Sequence, residues 1–327
     1  MTDSIRIGMI GCGRIAQTHF EALDLISECK VAGVCDTEEA RAKSVAERYG
    51  APCHTDYRKF LDTVPMDGVI VCTPPVHHAE QALYAFERRI PVLCEKPLCM
   101  NVAESRALMI AQEKAGVVGM PASKFCFCAD VVKAKAIIQS GLLGKILLYE
   151  NVFTGMNDMR GRWNSKKEIS GGGVLFDNGS HSLDIARFLL GEIESVQATV
   201  GIQIQDIEVE DTAKLSIHMK NGVLGVINLS WSMKEDREDF VSVYGNEGTL
   251  RVGWAQSRYR QANSNEWVVF GKGYSKVDSF VKQNRHFIQC IRGDASPLLN
   301  LQDGFHAVNI MMKSYESLEK NRWIKTS

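Results

Sequence analysis

Long apolar runs, paired metal-binding cysteines and an excess of either charge are all missing from this chain. No segment approaches the ~18 consecutive apolar residues of a membrane span, and the opening Met1-Thr2-Asp3-Ser4 carries neither a basic patch nor an apolar stretch. The expectation is a cytoplasmic protein with no membrane partner. Lysine and arginine total 38 against 39 acidic residues, a formal charge of -1, so no global field draws nucleic acid. The ten cysteines include no Cys-x-x-Cys pair to clamp zinc. Cys35, Cys72 and Cys94 lie inside apolar runs, which suits buried, reduced core residues. No metal site is expected, and what remains as partner is a small molecule.

What is present is a rhythm that changes midway. At roughly 100 to 200 residues per domain, 327 residues suggest two, placed at 1–122 and 123–327. The first half alternates short apolar runs with helical spacing. Ile5-Arg6-Ile7-Gly8-Met9-Ile10 reads as a strand. It enters Gly11-Cys12-Gly13-Arg14-Ile15-Ala16, after which Ala16, Phe20 and Leu23 recur at helical spacing. Further strands are expected at Val31–Cys35, near Ala51–Thr55, at Gly68–Cys72, at Val92–Cys94 and from Val117, with helices between them. Six strands in that order make a doubly wound parallel sheet.

Strand, glycine turn and helix together form a phosphate cradle. The first glycine makes the bend, the second lets main-chain N–H groups approach a pyrophosphate, and the third position, Ala16, must be small for the helix to pack. Gly11, Cys12, Gly13, Arg14 and Ile15 are therefore candidate cofactor contacts. Asp36 ends the second strand, where a carboxylate can accept both ribose hydroxyls and would repel a 2′-phosphate. NAD is favoured over NADP, although Arg41 could turn to pair with a phosphate. A helix cap before Thr37-Glu38-Glu39 would also use an aspartate there. Thr73, Pro74 and His78 follow the fourth strand, where a nicotinamide-side contact is useful. Val92-Leu93-Cys94 runs into Glu95-Lys96-Pro97. A lysine at a strand's carboxyl end points to a ligand crevice, but these three residues alone equally suit a surface lysine paired with Glu95.

Beyond residue 123 a helix is expected at Ala129–Gln139 and a strand at Lys145–Phe153. A basic loop with Arg160, Arg162, Lys166 and Lys167 follows. Ser170-Gly171-Gly172-Gly173 then leads to Asp177 and His181, one helical turn apart, with Asp184 on the same side. The aspartate can orient the imidazole or raise its pKa; a cap with a satisfied histidine has the same spelling. After Gly191 the pattern turns to period two, with a hairpin signal at Asn221-Gly222 and a second hairpin across Val241–Val252. Helices at Ser279–Ile291 and Asp303–Leu318 close an open, mostly antiparallel α/β domain.

Taken together, Gly11-Cys12-Gly13-Arg14-Ile15-Ala16, Thr73-Pro74-Pro75-x-x-His78, Glu95-Lys96-Pro97 and Gly171-Gly172-Gly173-x-x-x-Asp177-x-x-x-His181-x-x-Asp184 resemble the glucose-fructose oxidoreductase/inositol dehydrogenase family, also called Gfo/Idh/MocA. The motifs span Ile5 to Leu190, and Val241-x-Val-x-Gly245-x-x-Gly248-x-Leu250 extends them. The resemblance implies a Rossmann domain followed by an open-faced α/β domain whose sheet often makes homodimers or homotetramers. It implies an NAD(P)-dependent oxidoreductase acting on a secondary alcohol or ketone of a sugar, sugar phosphate, nucleotide sugar or cyclitol. Lys96, Asp177 and His181 match the family's catalytic residues, and Lys96-Pro97 a bond often cis; Glu95 is expected to hold the lysine or contact the cofactor ribose, and Lys96 is also a candidate cofactor contact.

Two departures touch the substrate side. Trp163-Asn164 stands where many members have Trp-Arg, and Lys124-Phe125 where Arg-Phe is usual. Lys124, Arg162 and Trp163 are thus substrate candidates beside Asp177 and His181, without naming the substrate. A non-catalytic NAD-sensing regulator and an NAD-dependent glycoside hydrolase are the competing readings.

Overall fold

The computed structural model describes residues 4–327. They fold as two units, one of residues up to 124 with 276–308, the other of 125–275 with 309–327. Two chain segments build each unit, where the sequence suggests a single break near 122. The reason is the helix Lys276–Arg292, which packs on the first helix of the chain.

The first unit runs β1 (Ile5–Ile10), α1 (Arg14–Asp24), β2 (Cys29–Cys35), α2 (Glu39–Tyr49), β3 (Cys53–His54), α3 (Tyr57–Thr63), β4 (Gly68–Val71), α4 (Pro75–Glu87), β5 (Val92–Glu95), α5 (Val102–Ala115) and β6 (Gly119–Ala122). The strands pair in parallel in the order β3-β2-β1-β4-β5-β6. Chain order reverses between β1 and β4. Ligands bind at such a switch point, outside the carboxyl ends of the strands. The central strands are mostly apolar because both faces are covered: Val69, Ile70, Val71 and Leu93 are buried.

Local signals set most boundaries. Asn101 caps α5, its Oδ1 accepting the Glu104 N–H at 3.0 Å while Glu104 Oε2 accepts from Met100 N–H at 2.9 Å. Gly50 and Gly116 end α2 and α5 in the left-handed region. Two boundaries involve proline. Helix α4 starts at Pro75, because proline suits the first helical position, where its missing N–H has no partner to lose. Strand β6 continues through Pro121, which an edge strand tolerates.

The second unit runs α6 (Ala129–Gln139), β7 (Ile146–Thr154), α7 (Lys167–Ser170), α8 (Val174–Leu190), β8 (Ile193–Val200), β9 (Thr212–Met219), β10 (Leu224–Ser230), β11 (Asp239–Gly245), β12 (Gly248–Gly253), β13 (Ser257–Gln261) and β14 (Val268–Gly271). The chain then forms α9 (Lys276–Arg292), α10 (Leu301–Lys320) and β15 (Ile324–Lys325). Nine strands pair in the order β14-β13-β12-β11-β7-β10-β9-β8-β15, antiparallel except for β7 beside β10. Helix α8 packs on β7, β9 and β10. It begins at Val174, so Asp177 lies inside its first turn rather than at its cap. On β7, Tyr149 and Asn151 are fully buried, while Leu148 and Glu150, one residue out of phase, share the opposite face with Leu224 and Val226 of β10. Among the described residues no helix is long and apolar enough to cross a membrane.

Candidate active site

At the carboxyl end of β1, Gly11 bends the chain with φ of +88°, and a Cβ there would lie 2.7 Å from the Cys72 carbonyl oxygen. Only glycine fits. A Cβ on Gly13 would meet nothing within 4 Å, so the loop leaves open space where a phosphate would enter. Helix α1 starts at once with no side-chain cap and no acid in its first turn. Its N–H groups and the positive end of its dipole suit an anion. Gln17 braces the loop, its Nε2 donating to the Cys12 carbonyl at 3.1 Å.

Asp36 is only 8% exposed and belongs to this loop. Its Oδ2 accepts the Cys12 N–H at 2.8 Å, its Oδ1 the Glu38 N–H at 2.9 Å, and Arg41 Nη1 pairs with it at 3.2 Å. Burial and then the Asp36 charge push the Cys12 thiol up to about 12. Cys12 is therefore a neutral packing group in a negative field, which opposes a 2′-phosphate. Arg41 also pairs with Glu38 at 2.7 Å, so its charge is already shared by two carboxylates.

Thr73 lies in the turn after β4 and His78 in the first turn of α4. Thr73 Oγ1 donates to Gln81 Oε1 at 2.7 Å. The buried His78 ring lies with Nδ1 2.8 Å from the Pro97 carbonyl and Nε2 2.7 Å from that of Thr73. Burial pulls its pKa down, the two carbonyls opposing. Its ring nitrogens thus face main chain, and what His78 does is tie the Thr73-Pro74 turn to the segment after Lys96. Lys96-Pro97 is a cis bond.

Glu95 ends β5 almost fully buried. Its Oε2 accepts the Lys96 N–H at 3.1 Å, and its Oε1 lies 3.0 Å from His19 Nε2. Burial would raise its pKa, but the His19 hydrogen bond and the charges of Lys124 and Lys96 hold it below the usual carboxylate range. Lys124, in the turn Lys124–Phe127, also stands 5.7 Å from the centre of the Phe280 ring. His19, Lys124 and Lys96 thus act on one buried carboxylate within the first unit.

In the second unit α8 carries Asp177, His181 and Asp184 on successive turns. His181 is 7% exposed and meets Phe125 edge-on at 5.1 Å and Phe153 at 6.5 Å. The aromatic wall continues through Phe240 and Tyr274 to Trp254, which is 40% exposed. The basic loop does not act as one cluster. Arg160 is held by Asp158 at 2.9 Å on the surface, Arg162 Nη1 points to Met159 Sδ at 3.8 Å, and Trp163 is 41% exposed.

No motif marks Glu210, yet it sets the entry of α8. Its Oε1 accepts N–H groups of Gly173 and Leu175 at 3.0 Å and the Tyr315 hydroxyl at 2.8 Å, while its carbonyl takes the Val174 N–H at 2.8 Å. A Cβ on Gly173 would collide with that carbonyl. The carboxylate satisfies the orphan donors of the helix that carries Asp177 and His181. Glu210→Ala is expected to cost about 3 kcal/mol, since three buried donors lose their acceptor. Glu210→Gln, which keeps an acceptor oxygen, should lose less than half of that in urea unfolding. Equal losses would mean that side-chain volume, not hydrogen bonding, sets the helix.

Residues 5–123 match the family model described as oxidoreductase family, NAD-binding Rossmann fold, and residues 131–251 match the GFO/IDH/MocA C-terminal domain. Myo-inositol 2-dehydrogenase of Thermotoga maritima is 26% identical across 98% of both chains. D-glucoside 3-dehydrogenase of Escherichia coli is also 26% identical, across 98% of this chain and 97% of its own. Levoglucosan dehydrogenase, solved with NADH, superposes with a TM-score of 0.92 at 22% identity over 99% of this chain and 100% of its own.

Proposed function

The chain belongs to the Gfo/Idh/MocA oxidoreductase family, and from that premise we propose that it is an NAD-dependent dehydrogenase or reductase of a secondary alcohol or ketone on a sugar or cyclitol. Relatives acting on inositol and glucosides support the substrate class. The observation that carries the reading lies in the first unit: the glycine loop, Asp36 and the Glu95-Lys96 pair all end parallel strands of one sheet.

The nicotinamide, when bound, accepts or donates the hydride. The chain does the rest. Gly11, Cys12, Gly13, Arg14 and Ile15 present main-chain N–H groups to the pyrophosphate, and Asp36 accepts the ribose hydroxyls. The turn at Thr73 and Pro74, with Glu95, shapes the nicotinamide side. Lys96 stabilises charge developing on the carbinol oxygen. His181 takes the hydroxyl proton in oxidation, and Asp177, four residues earlier on α8, orients or polarises the imidazole. Lys124, Arg162 and Trp163 are assigned to the substrate side.

Turnover by sugars, nucleotide sugars and inositols with NAD⁺ tests the proposal. Net NADH accumulation with at least one of them is expected. A non-catalytic regulator would give none, and an NAD-dependent glycoside hydrolase would release sugar without net NADH. We also assign the cytoplasm as its place, in keeping with the buried thiols of Cys12, Cys35, Cys72 and Cys94. The sheet face bearing Leu148, Leu224 and Val226 is assigned to self-association. Light scattering is expected to give a homodimer or homotetramer; a monomer at micromolar concentration would refute it.

A further inference from the structure

Behind Lys96 lies a buried polar group that none of these roles uses. His19 sits on α1 among Ala16, Phe20 and Leu23, on the stripe that faces the core, and is fully buried. A polar ring there costs stability unless it is bonded. Its Nε2 lies 3.0 Å from Glu95 Oε1, its Nδ1 lies 3.0 Å from Asn284 Oδ1 on α9, and its edge meets Phe280 at 4.7 Å. The other oxygen of Glu95 accepts the Lys96 N–H. A continuous path of short contacts therefore runs from α9 through α1 to the main chain of Lys96.

We propose that His19 is a positioning residue for the reaction: by donating to Glu95, it fixes the carboxylate that holds the Lys96 main chain. The inference rests on the reading that Lys96 acts on the substrate oxygen. The imidazole touches neither cofactor nor substrate in this role. Without its N–H, the buried carboxylate would keep only the Lys96 N–H and the more distant charges of Lys96 and Lys124. Cys72, just after β4, and His78 on α4 also feel its charge but do not bond to it. An uncompensated buried carboxylate rotates toward solvent or takes up a proton. Rotation releases the Lys96 main chain, and protonation weakens the hold on it.

Glu95 is held below its ordinary value in the folded protein, so its ionised form adds stability above the unfolded carboxylate range of about 4.3, and that stability is lost as pH falls through the folded value. Removing the His19 donor moves this loss to higher pH.

The test uses the full chain as wild type, His19→Leu and His19→Gln, the last placing an amide N–H near the lost Nε2. Selective ¹³C labelling of glutamate carboxyls, with the Glu95 signal identified by its loss in Glu95→Gln, reads protonation directly. Turnover uses NAD⁺ and whichever polyol reacts in the panel above. His19→Leu is expected to raise the Glu95 titration midpoint by at least about one unit and to lower kcat by about tenfold or more through misplacement, with KM for NAD⁺ changed less than about threefold. His19→Gln should restore most of both. A folded His19→Leu with unchanged titration and kcat overturns the proposal. So does a His19→Gln as impaired as His19→Leu, which would leave the ring a packing role against Phe280. If His19→Leu does not fold, His19→Gln alone decides: retention of kcat within about threefold supports the proposal, and loss beyond tenfold refutes it. Full activity in Lys96→Met would sink the reading of Lys96 itself. A normal loss in Lys96→Met beside an unaffected His19→Leu would sink only this inference.

Discussion

Lys96→Met and His181→Ala are each expected to lower kcat by about 10²- to 10⁴-fold, the range that a positioned proton-handling or charge-stabilising group contributes. Methionine keeps the length of the lysine stem and removes the charge, so the change reports the ammonium and not packing. Glu95 would then keep its His19 contact, and its bond to the residue-96 N–H is made by main chain. For His181 the side chain also packs on Phe125 and Phe153, so His181→Ala opens a small cavity and a thermal midpoint must accompany the kinetics. His181→Gln retains polarity without general-base capacity and should be nearly as slow. Turnover within about tenfold of wild type in both Lys96→Met and His181→Gln would remove the assignment.

NAD is expected to be preferred over NADP by about 10² or more in kcat/KM, and Asp36→Ser to reduce that preference to less than about tenfold. At an effective dielectric near 20, a unit charge 5 Å from a doubly charged phosphate is opposed by several kcal/mol, enough for a ratio of that size. The location of Asp36 makes the argument specific. Its Oδ2 is hydrogen-bonded to the glycine-loop amide of Cys12, so the charge lies beside that loop. Arg41 does not reverse this, being paired already with Asp36 and Glu38. Asp36→Ser also weakens the tether to Cys12, so some loss with NAD is expected as well. A wild-type preference for NADP would contradict the role given to this carboxylate.

The features legible in the sequence are those written in local chemistry. Gly11 is a glycine because its φ is positive and Cys72 is close. Asn101 and Glu104 announce the start of α5, and Gly50 and Gly116 the ends of α2 and α5. Asn221-Gly222 turns β9 into β10 with Gly222 at φ +87°. That the six strands run parallel could be read from the alternation of strand and helix, because parallel strands require crossovers; their order could not. Less legible was anything resting on distant partners. An amphipathic helix shows that it has an apolar face but not which core receives it, so α9 read as part of the second domain although it packs on α1. His19 and Asn284 are 265 residues apart, and the only local hint was a polar residue on an apolar stripe. Glu210 lies 35 residues after Leu175, whose N–H it accepts, and 105 before Tyr315; no spacing rule joins them. For His78 the sequence shows a ring near the end of β4 but not that main-chain carbonyls claim both its nitrogens.

Direct hydride transfer can be followed as an isotope. Deuterium placed on the reacting carbinol carbon of the polyol that turns over is predicted to appear at C4 of the nicotinamide, one label for each NADH accumulated. Deuterium recovered in water, or retained in the product while NADH forms, would contradict the account.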